Sequence, residues 1–331
     1  MAALLEVEDL AVEFHRDGAV SRAVNRVTLS VERGKSLGIV GESGSGKSVT
    51  VKAIMRLLPK YARIPSGSIH LDGQEVTAMT EGRMRRLRGR RMAMVFQDPH
   101  AYLNPTKTVG SQLVEPLILH RLAAGAEAKR RAVELLRQVG IPSPEVRFSQ
   151  YPFEFSGGML QRVMIAVALI ANPELLIADE PTTALDVTVQ AQILRLLRKL
   201  KDDRGMSMIF VTHDLVVAAQ TCDEVVVMYG GMVVERVPSH KLLTASAHPY
   251  SRGLIACTPR ISDAGTIPTP IPGQPLNLRK PLPEGCLFAE RCSERIPRCT
   301  VSRPPLEHIA ADHQVACFVA SAAVKEGAAS E

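Results

Sequence analysis

Two kinds of hydrophobic pattern alternate along the first 245 residues. Short apolar or alternating runs are typical of strands, and apolar positions recurring every three to four residues are typical of helices. The runs predict strands over residues 10–14, 27–31, 37–40, 68–71, 92–96, 175–178, 206–211, 225–229 and 232–237. The helical period predicts helices over residues 47–58, 109–122, 127–139, 156–172, 187–200 and 215–221. Strands alternating with helices predict an α/β fold with a mostly parallel sheet.

Two departures from the alternation predict the domain organisation. Successive helices between about residues 98 and 172 predict a helical subdomain inserted into the α/β pattern. After about residue 245 the composition changes, and seven prolines between residues 259 and 283 predict an extended, semi-rigid segment. We therefore expect an α/β domain over residues 1–245, a C-terminal extension over 246–319 and a disordered tail over 320–331.

Composition then restricts the class of protein. The 331 residues are 46% hydrophobic and carry a net charge of +6, which is too weak a bias to indicate a nucleic-acid partner. The longest apolar run covers nine residues, 163–171, well short of the roughly 20 that a membrane helix needs. The acidic start of the chain is unlike a signal peptide, so we expect a cytoplasmic protein whose six cysteines do not form structural disulfides.

A basic stretch over residues 83–91 contains six arginines. It is interpreted either as a solvated face or as a contact for nucleic acid or anionic lipid. Because no aromatic stacking residues accompany the arginines, the solvated face is favoured.

A glycine-rich loop between a predicted strand and a predicted helix fits the pattern G-x-x-x-x-G-K-S. Glycines let backbone N–H groups surround a phosphate, while the lysine reaches the β- and γ-phosphates and the serine hydroxyl ligates Mg²⁺. The alternative, a turn that binds nothing, is disfavoured by the strand and helix on either side. The residues expected to hold ATP are Gly41, Glu42, Ser43, Gly44, Ser45, Gly46, Lys47, Ser48 and Val49.

Two acids end the apolar strand predicted over residues 175–178. Asp179 is expected to hold Mg²⁺ through water, and Glu180 is expected to orient or deprotonate the attacking water. An acidic pair at a strand end is common by chance, but together with the phosphate loop it indicates ATP hydrolysis. Glu180 also argues against a switch that binds ATP without hydrolysing it.

Four further motifs follow in order, and with them the sequence resembles the ATP-binding subunits of ABC transporters. Residues 155–159 (FSGGM) resemble the family's signature motif, Gln97 the Q-loop, residues 181–187 (PTTALDV) the D-loop and His213 the switch histidine. The resemblance implies a P-loop NTPase cassette with a mixed sheet, an antiparallel β part and a helical subdomain. It also implies that Phe14 stacks on the base and that Gln97 helps Ser48 and Asp179 to hold Mg²⁺. The residues that it implies in hydrolysis are Lys47, Gln97, Glu180 and His213. The residues that it implies as nucleotide contacts in a head-to-tail dimer are Ser156, Gly157, Gly158 and Asp186.

Residues 248–250 (HPY), residues 271–273 (IPG) and the segments flanking the motifs resemble the dipeptide and oligopeptide importers, a branch that includes nickel importers. That resemblance implies a second, usually different ATPase subunit, two transmembrane permease subunits and a separate solute-binding protein. It also implies peripheral attachment to the cytoplasmic face of the inner membrane. The implied function is ATP hydrolysis that powers import of peptides or similar solutes. The alternative is a soluble ABC-type ATPase that acts on nucleic acid or ribosomes, and a single cassette argues against it.

Four of the six cysteines, Cys286, Cys292, Cys299 and Cys317, lie near the C-terminus. Clusters of four thiolates bind zinc or an iron–sulfur cluster. Their spacing lacks the short C-x₂₋₄-C pairs of zinc sites, and in members that this chain resembles such cysteines ligate a [4Fe–4S] cluster. Three alternatives stay open: an iron–sulfur cluster, zinc, or thiols without metal.

Overall fold

A computed structural model of the chain describes residues 3–16, 18–183, 185–258 and 270–322. The strands are β1 (Ala3–Arg16), β2 (Ala19–Glu32), β3 (Ser36–Val40), β4 (Ala62–Leu71), β5 (Gln74–Glu75), β6 (Met92–Val95), β7 (Leu175–Asp179), β8 (Ser207–Thr212), β9 (Glu224–Tyr229), β10 (Met232–Pro238), β11 (Glu307–Ala310) and β12 (His313–Val315). The helices are α1 (Lys47–Ile54), α2 (Glu81–Leu87), α3 (Pro99–Tyr102), α4 (Val109–Leu119), α5 (Gly125–Gln138), α6 (Pro144–Arg147), α7 (Gly157–Leu169), α8 (Val187–Arg204), α9 (Leu215–Thr221), α10 (Ser239–Ala245), α11 (Pro249–Ala256) and α12 (Arg298–Val301).

Every strand and helix predicted up to residue 237 is present, with shifted ends. β1, β2 and β4 begin before the predicted runs. For β1 and β4, antiparallel pairing with each other extends the strands through polar residues that hydropathy alone does not mark. The sequence did not predict nine of the elements: β5, α2, α3, α6, α10, α11, α12, β11 and β12. Of the other predictions, Ala184 in the D-loop, Pro259, Pro268 and residues 323–331 of the tail lie outside the described residues.

One compact unit comprises Met1–Leu4, Val31–Lys35 and Ala78–Phe210. Its strands lie in the order β8-β7-β6, and β6 pairs with β7 in parallel. All residues of β6 and β7 are buried, which explains their uninterrupted apolar sequences. The helices α4, α5 and α7 contact one another, and α7 packs on β6. This unit therefore contains the helical insert that the sequence predicts.

The second unit comprises Leu5–Ser30, Ser36–Thr77 and Val211–Glu331. It contains a sheet in the order β2-β1-β4-β5, in which β4 pairs antiparallel with both β1 and β5, and a mixed group of strands in the order β11-β12-β10-β9-β3. The pair β3–β9 is parallel, whereas β10 pairs antiparallel with both β9 and β12. The C-terminal extension thus continues a sheet that begins before residue 245, and the boundary at that residue stays a prediction.

Three arginines of the basic stretch have partners on the protein. Arg91 pairs with Glu174 at 2.6 Å, Arg88 pairs with Glu81 at 2.5 Å, and Arg90 donates to the Ala171 carbonyl at 3.3 Å. These contacts fit the interpretation of a solvated protein surface. Within the described ranges, no helix is both long and apolar enough to cross a membrane.

Candidate functional site

The phosphate loop lies in the second unit, between β3 and α1. Lys47 is only 4% exposed, and its Nζ donates to the carbonyls of Gly41 at 2.8 Å and Glu42 at 2.9 Å. Gly46 has φ +102°, and a Cβ there would lie 2.6 Å from the Ala23 carbonyl, so the turn into α1 requires glycine. A folded-in lysine and a tight glycine turn at a helix start form the cradle that a phosphate needs.

The buried hydroxyl of Ser45 adds a second observation that fits a phosphate. Among the described residues this Oγ atom has no hydrogen-bond partner. Buried polar atoms are normally satisfied, and one left without a partner calls for an explanation. A bound phosphate oxygen would accept its hydrogen bond. The residues of the loop therefore fit the triphosphate of ATP. The Ser48 hydroxyl, directly after Lys47 in the chain, would serve as a Mg²⁺ ligand.

The acidic pair lies in the first unit, at the end of β7. Asp179 is buried, and Glu180 follows it in the left-handed region with φ +47°. The Glu180 Oε2 atom accepts from Thr183 Oγ1 at 2.9 Å and from Gln97 Nε2 at 3.4 Å. The structure thus brings Gln97 and Glu180 together, as a shared role at the attacking water requires. A backbone held in a sparsely populated region is typical of functional sites.

The signature motif begins α7 in the same unit. Ser156 lies at the N-cap position, as its sequence predicts, but within the described residues its side chain accepts no cap hydrogen bond. In that part of the chain nothing lies within 4 Å of the position a Cβ would take on Gly157, whereas at Gly158 it would meet Val189 at 2.9 Å. The open start of α7 keeps the anion-binding character that the motif implies.

The remaining predicted residues divide between the units. Asp186 lies in the first unit, where its Oδ1 caps α8 by accepting from the Val189 N–H at 2.9 Å. His213 lies in the second unit, exposed at the end of β8 and just before α9.

Phe14, predicted to stack on the base, lies in the second unit, with its ring 5.8 Å from that of Tyr61. Both rings line a cavity of about 570 Å³, which Arg279 of the extension also lines. Sequence reasoning missed Tyr61 and Arg279. No local signal points to either residue, because the fold alone brings their distant segments to Phe14.

The four C-terminal cysteines lie near one another in the second unit. Burial raises the pKa of the Cys286 thiol to about 11, with smaller contributions from the neighbouring thiols Cys299, Cys317 and Cys292. Burial likewise raises the pKa of Cys292 and Cys317. Across the described residues, however, no group of three or more His, Cys, Asp or Glu side chains is placed to hold a metal ion. The four thiols lie close together, as predicted, but their arrangement gives no support to a bound metal.

Two family models match the chain: "ABC transporter" over residues 24–183 and "Oligopeptide/dipeptide transporter, C-terminal region" over residues 234–299. The chain is 48% identical to a probable peptide ABC transporter ATP-binding protein, y4tR, of Sinorhizobium fredii, over 95% of this chain and 94% of that protein. It is also 48% identical to the oligopeptide transport ATP-binding protein OppD of Escherichia coli, over 96% of this chain and 93% of that protein.

Solved structures of ATP-binding cassettes are also similar to this chain. The ATP-binding cassette MJ0796, in a dimeric post-hydrolysis state bound to ADP and Pi, matches with a TM-score of 0.65 and 28% identity. The match covers 71% of this chain and 99% of that one. It confirms the predicted α/β cassette fold, with its mixed sheet, antiparallel β part and helical insert. The chain therefore belongs to the ABC transporter ATP-binding proteins with an oligopeptide/dipeptide-type C-terminal region, and its cassette binds and hydrolyses ATP.

Proposed function

We propose that this chain is the ATP-hydrolysing subunit of an importer for peptides or similar solutes. The observation that carries the proposal is the 48% identity to OppD of Escherichia coli, an oligopeptide transport protein, over 96% of this chain. That similarity includes the extension as well as the cassette. Both relatives named above are peptide-transport proteins, so the alternative of a soluble ATPase for nucleic acid or ribosomes is not favoured.

A small set of side chains would share the roles in ATP hydrolysis. Lys47 and the backbone N–H groups of the loop would hold the phosphates, and Ser48, Gln97 and Asp179 would hold Mg²⁺, which neutralises charge on the phosphate oxygens. Glu180, restrained by Thr183, would orient the attacking water and accept its proton. His213 would contact the terminal phosphate.

The variant Glu180→Gln tests this assignment in the purified chain. We expect ATP to bind normally and turnover to fall at least about 100-fold, because an amide cannot accept the proton. A matched control is Glu145→Gln on α6, an exposed carboxylate that pairs with Arg137. If Glu180→Gln hydrolysed ATP at the rate of the control, Glu180 would not be the base.

The assembly that we propose contains two ATPase subunits, head to tail, beneath two permease subunits and supplied by a separate solute-binding protein. The dimeric MJ0796 structures and the open start of α7 support it. Ser156, Gly157, Gly158 and Asp186 would then contact nucleotide held by the other subunit. The second subunit is proposed to be a different chain, and the complex to lie at the cytoplasmic face of the inner membrane.

Cells lacking the gene test both assembly and cargo. With the wild-type chain restored, labelled oligopeptide should enter the cells and the chain should co-purify with membrane subunits. With Glu180→Gln restored, the complex should form while uptake stays absent. A wild-type chain found only with ribosomes or DNA would refute the transport role.

We further propose that Cys286, Cys292, Cys299 and Cys317 hold an iron–sulfur cluster. Their number supports the proposal, as does their proximity, which the effects of Cys299, Cys317 and Cys292 on the pKa of Cys286 indicate. Anaerobically purified protein should contain iron and sulfide and absorb near about 400 nm. Cys299→Ser should remove that absorbance, whereas Cys222→Ser should not. Zinc without iron, or no metal, would refute the proposal.

A further inference from the structure

The C-terminal extension contacts the phosphate loop at Glu42, the second residue of the loop. Arg291 binds the Glu42 carboxylate in a bidentate pair, with Nη1 to Oε2 at 2.7 Å and Nη2 to Oε1 at 3.0 Å. The hydroxyl of Tyr250 accepts the Glu42 backbone N–H at 2.8 Å. The loop and its two partners are more than 200 residues apart in sequence and lie in the same unit.

Arg291 is itself held in place. Its side chain is 5% exposed, and its Nε donates to the Pro272 carbonyl at 2.9 Å. The guanidinium lies 5.8 Å from the ring centre of Tyr229 and 5.9 Å from that of Phe288. A planar guanidinium fixed on three sides loses little further freedom when it binds a carboxylate. The contact with Glu42 therefore differs from an exposed, flexible ion pair, which contributes little.

Tyr250 is equally immobile. It is 0% exposed, and its ring lies 4.7 Å from that of Tyr229 and 5.4 Å from that of Phe288. Its hydroxyl reaches the loop from a packed aromatic cluster. The Glu42 carbonyl in turn accepts from Lys47 Nζ at 2.9 Å. The N–H, the carbonyl and the carboxylate of one loop residue are thus all bound.

This anchoring affects the conformational entropy of ATP binding. A glycine-rich loop is flexible when free, and fixing its backbone when a ligand binds costs conformational entropy. Where folding has already fixed the loop, a ligand no longer meets that cost and binds more tightly.

We propose that Arg291 and Tyr250 are positioning residues that hold the phosphate loop in its ATP-binding conformation through Glu42. The extension is then a working part of the nucleotide site. The inference rests on the proposal that residues 41–48 hold the phosphates of ATP.

The test is a double-mutant cycle on the full chain, with Arg291→Gln, Glu42→Gln and the double variant. A fluorescent ATP analogue reports affinity, and steady-state hydrolysis separates KM from kcat. We expect each single variant to weaken binding and raise KM about tenfold, with kcat within about twofold of wild type. The double variant should lose about tenfold as well, since both substitutions break the same contact. Hydrogen exchange of the segment 41–48 should accelerate in all three.

Matched variants separate positioning from general damage. Arg252→Gln breaks an ion pair with Glu294 within the same extension and should leave ATP affinity unchanged. Tyr250→Phe keeps the buried ring, removes only the hydroxyl and should weaken binding about threefold. If Arg291→Gln fails to fold, as thermal unfolding would show, Glu42→Gln and Tyr250→Phe decide the matter. Wild-type affinity in both would overturn the inference.

Lys47→Ala distinguishes the two proposals. A large loss of affinity in Lys47→Ala with none in Arg291→Gln would overturn the positioning role alone. Unchanged affinity in both would overturn the phosphate-loop assignment and the inference together. Losses in the two single variants that multiply in the double variant would also refute the positioning role, because the residues would then act independently.

Discussion

At the scale of single residues, one buried histidine links the stability of this protein to pH. His248 is 1% exposed, and its Nδ1 accepts the Tyr250 N–H at 3.0 Å. A ring that accepts at Nδ1 in a dry site is held neutral. Burial accordingly lowers the pKa of His248 from 6.5 to about 4, although the nearby Glu235 carboxylate opposes the shift.

We expect the free energy of unfolding to fall as the pH falls from 6.5 to 4. Over that range the unfolded chain takes up a proton at His248 and the folded chain does not, so acid favours unfolding. The loss should approach about 3 kcal/mol at pH 4. Urea unfolding at several pH values measures it. The decrease in the free energy of unfolding with falling pH should be smaller in His248→Asn and unchanged in His240→Asn. Equal decreases in the wild-type protein and both variants would contradict the assignment to His248.

At the scale of elements, the position where a helix ends can depend on the backbone conformation of one residue. The longest helix, α8, ends at Gly205, which adopts φ +60° and ψ +24° and donates its N–H to the Asp202 carbonyl at 3.2 Å. Among the described residues nothing lies within 4 Å of the position its Cβ would take. Only the left-handed backbone, and not lack of space, therefore requires glycine here.

We expect Gly205→Ala to lower the free energy of unfolding by about 1 kcal/mol, the cost of placing a side chain in the left-handed region. ATP affinity should not change. Gly82→Ala, in α2, is the matched control, since its φ is ordinary and its Cβ would also meet nothing among the described residues. That control should be neutral or slightly stabilising, as expected inside a helix. Equal denaturation midpoints for both variants would refute the strain argument.

At the scale of the whole molecule, the extension shares its hydrophobic core with residues of the cassette. β12 pairs with β10, and Phe288 packs against Tyr229 and Tyr250. Buried Glu235 in β10 accepts from the Ala247 N–H at 2.5 Å and contacts His313 at 2.8 Å. Removing the extension would leave a buried carboxylate without these partners and expose an apolar surface.

We therefore expect a chain ending at residue 245 to lose most of its stability. Truncating a large buried side chain alone costs about 3–5 kcal/mol, and whole domains are stable by only about 5–15 kcal/mol. Loss of Tyr250 and Phe288 together should abolish the cooperative unfolding transition in urea. A chain ending at residue 322 should unfold like the full chain. If the shorter chain kept the same transition, the extension would be an independent appendage.

The cassette can be predicted from the amino-acid sequence, because each of its signals is local. Hydrophobic period marks β3, α1, β7 and α8, and the nucleotide motifs combine residue type and spacing within short segments. Even there the backbone adds a fact that the motif lacks, since the left-handed φ of Glu180 arises from the turn after β7. Likewise, within the described part of the chain the Ser156 hydroxyl accepts no cap hydrogen bond, although its residue type favours that role.

The contacts of the extension, in contrast, emerge only once the chain is folded. Proline and cysteine content marked residues 246–319 as different in composition and could not show that β12 joins β10. The contact of Arg291 with Glu42 spans 249 residues, and neither residue type nor spacing predicts such a pair. Side chains that meet through the fold leave no periodic trace in the chain, because their proximity depends on the packing of every element between them. The phosphate loop can therefore be found from sequence alone, whereas the residues that hold it in position cannot.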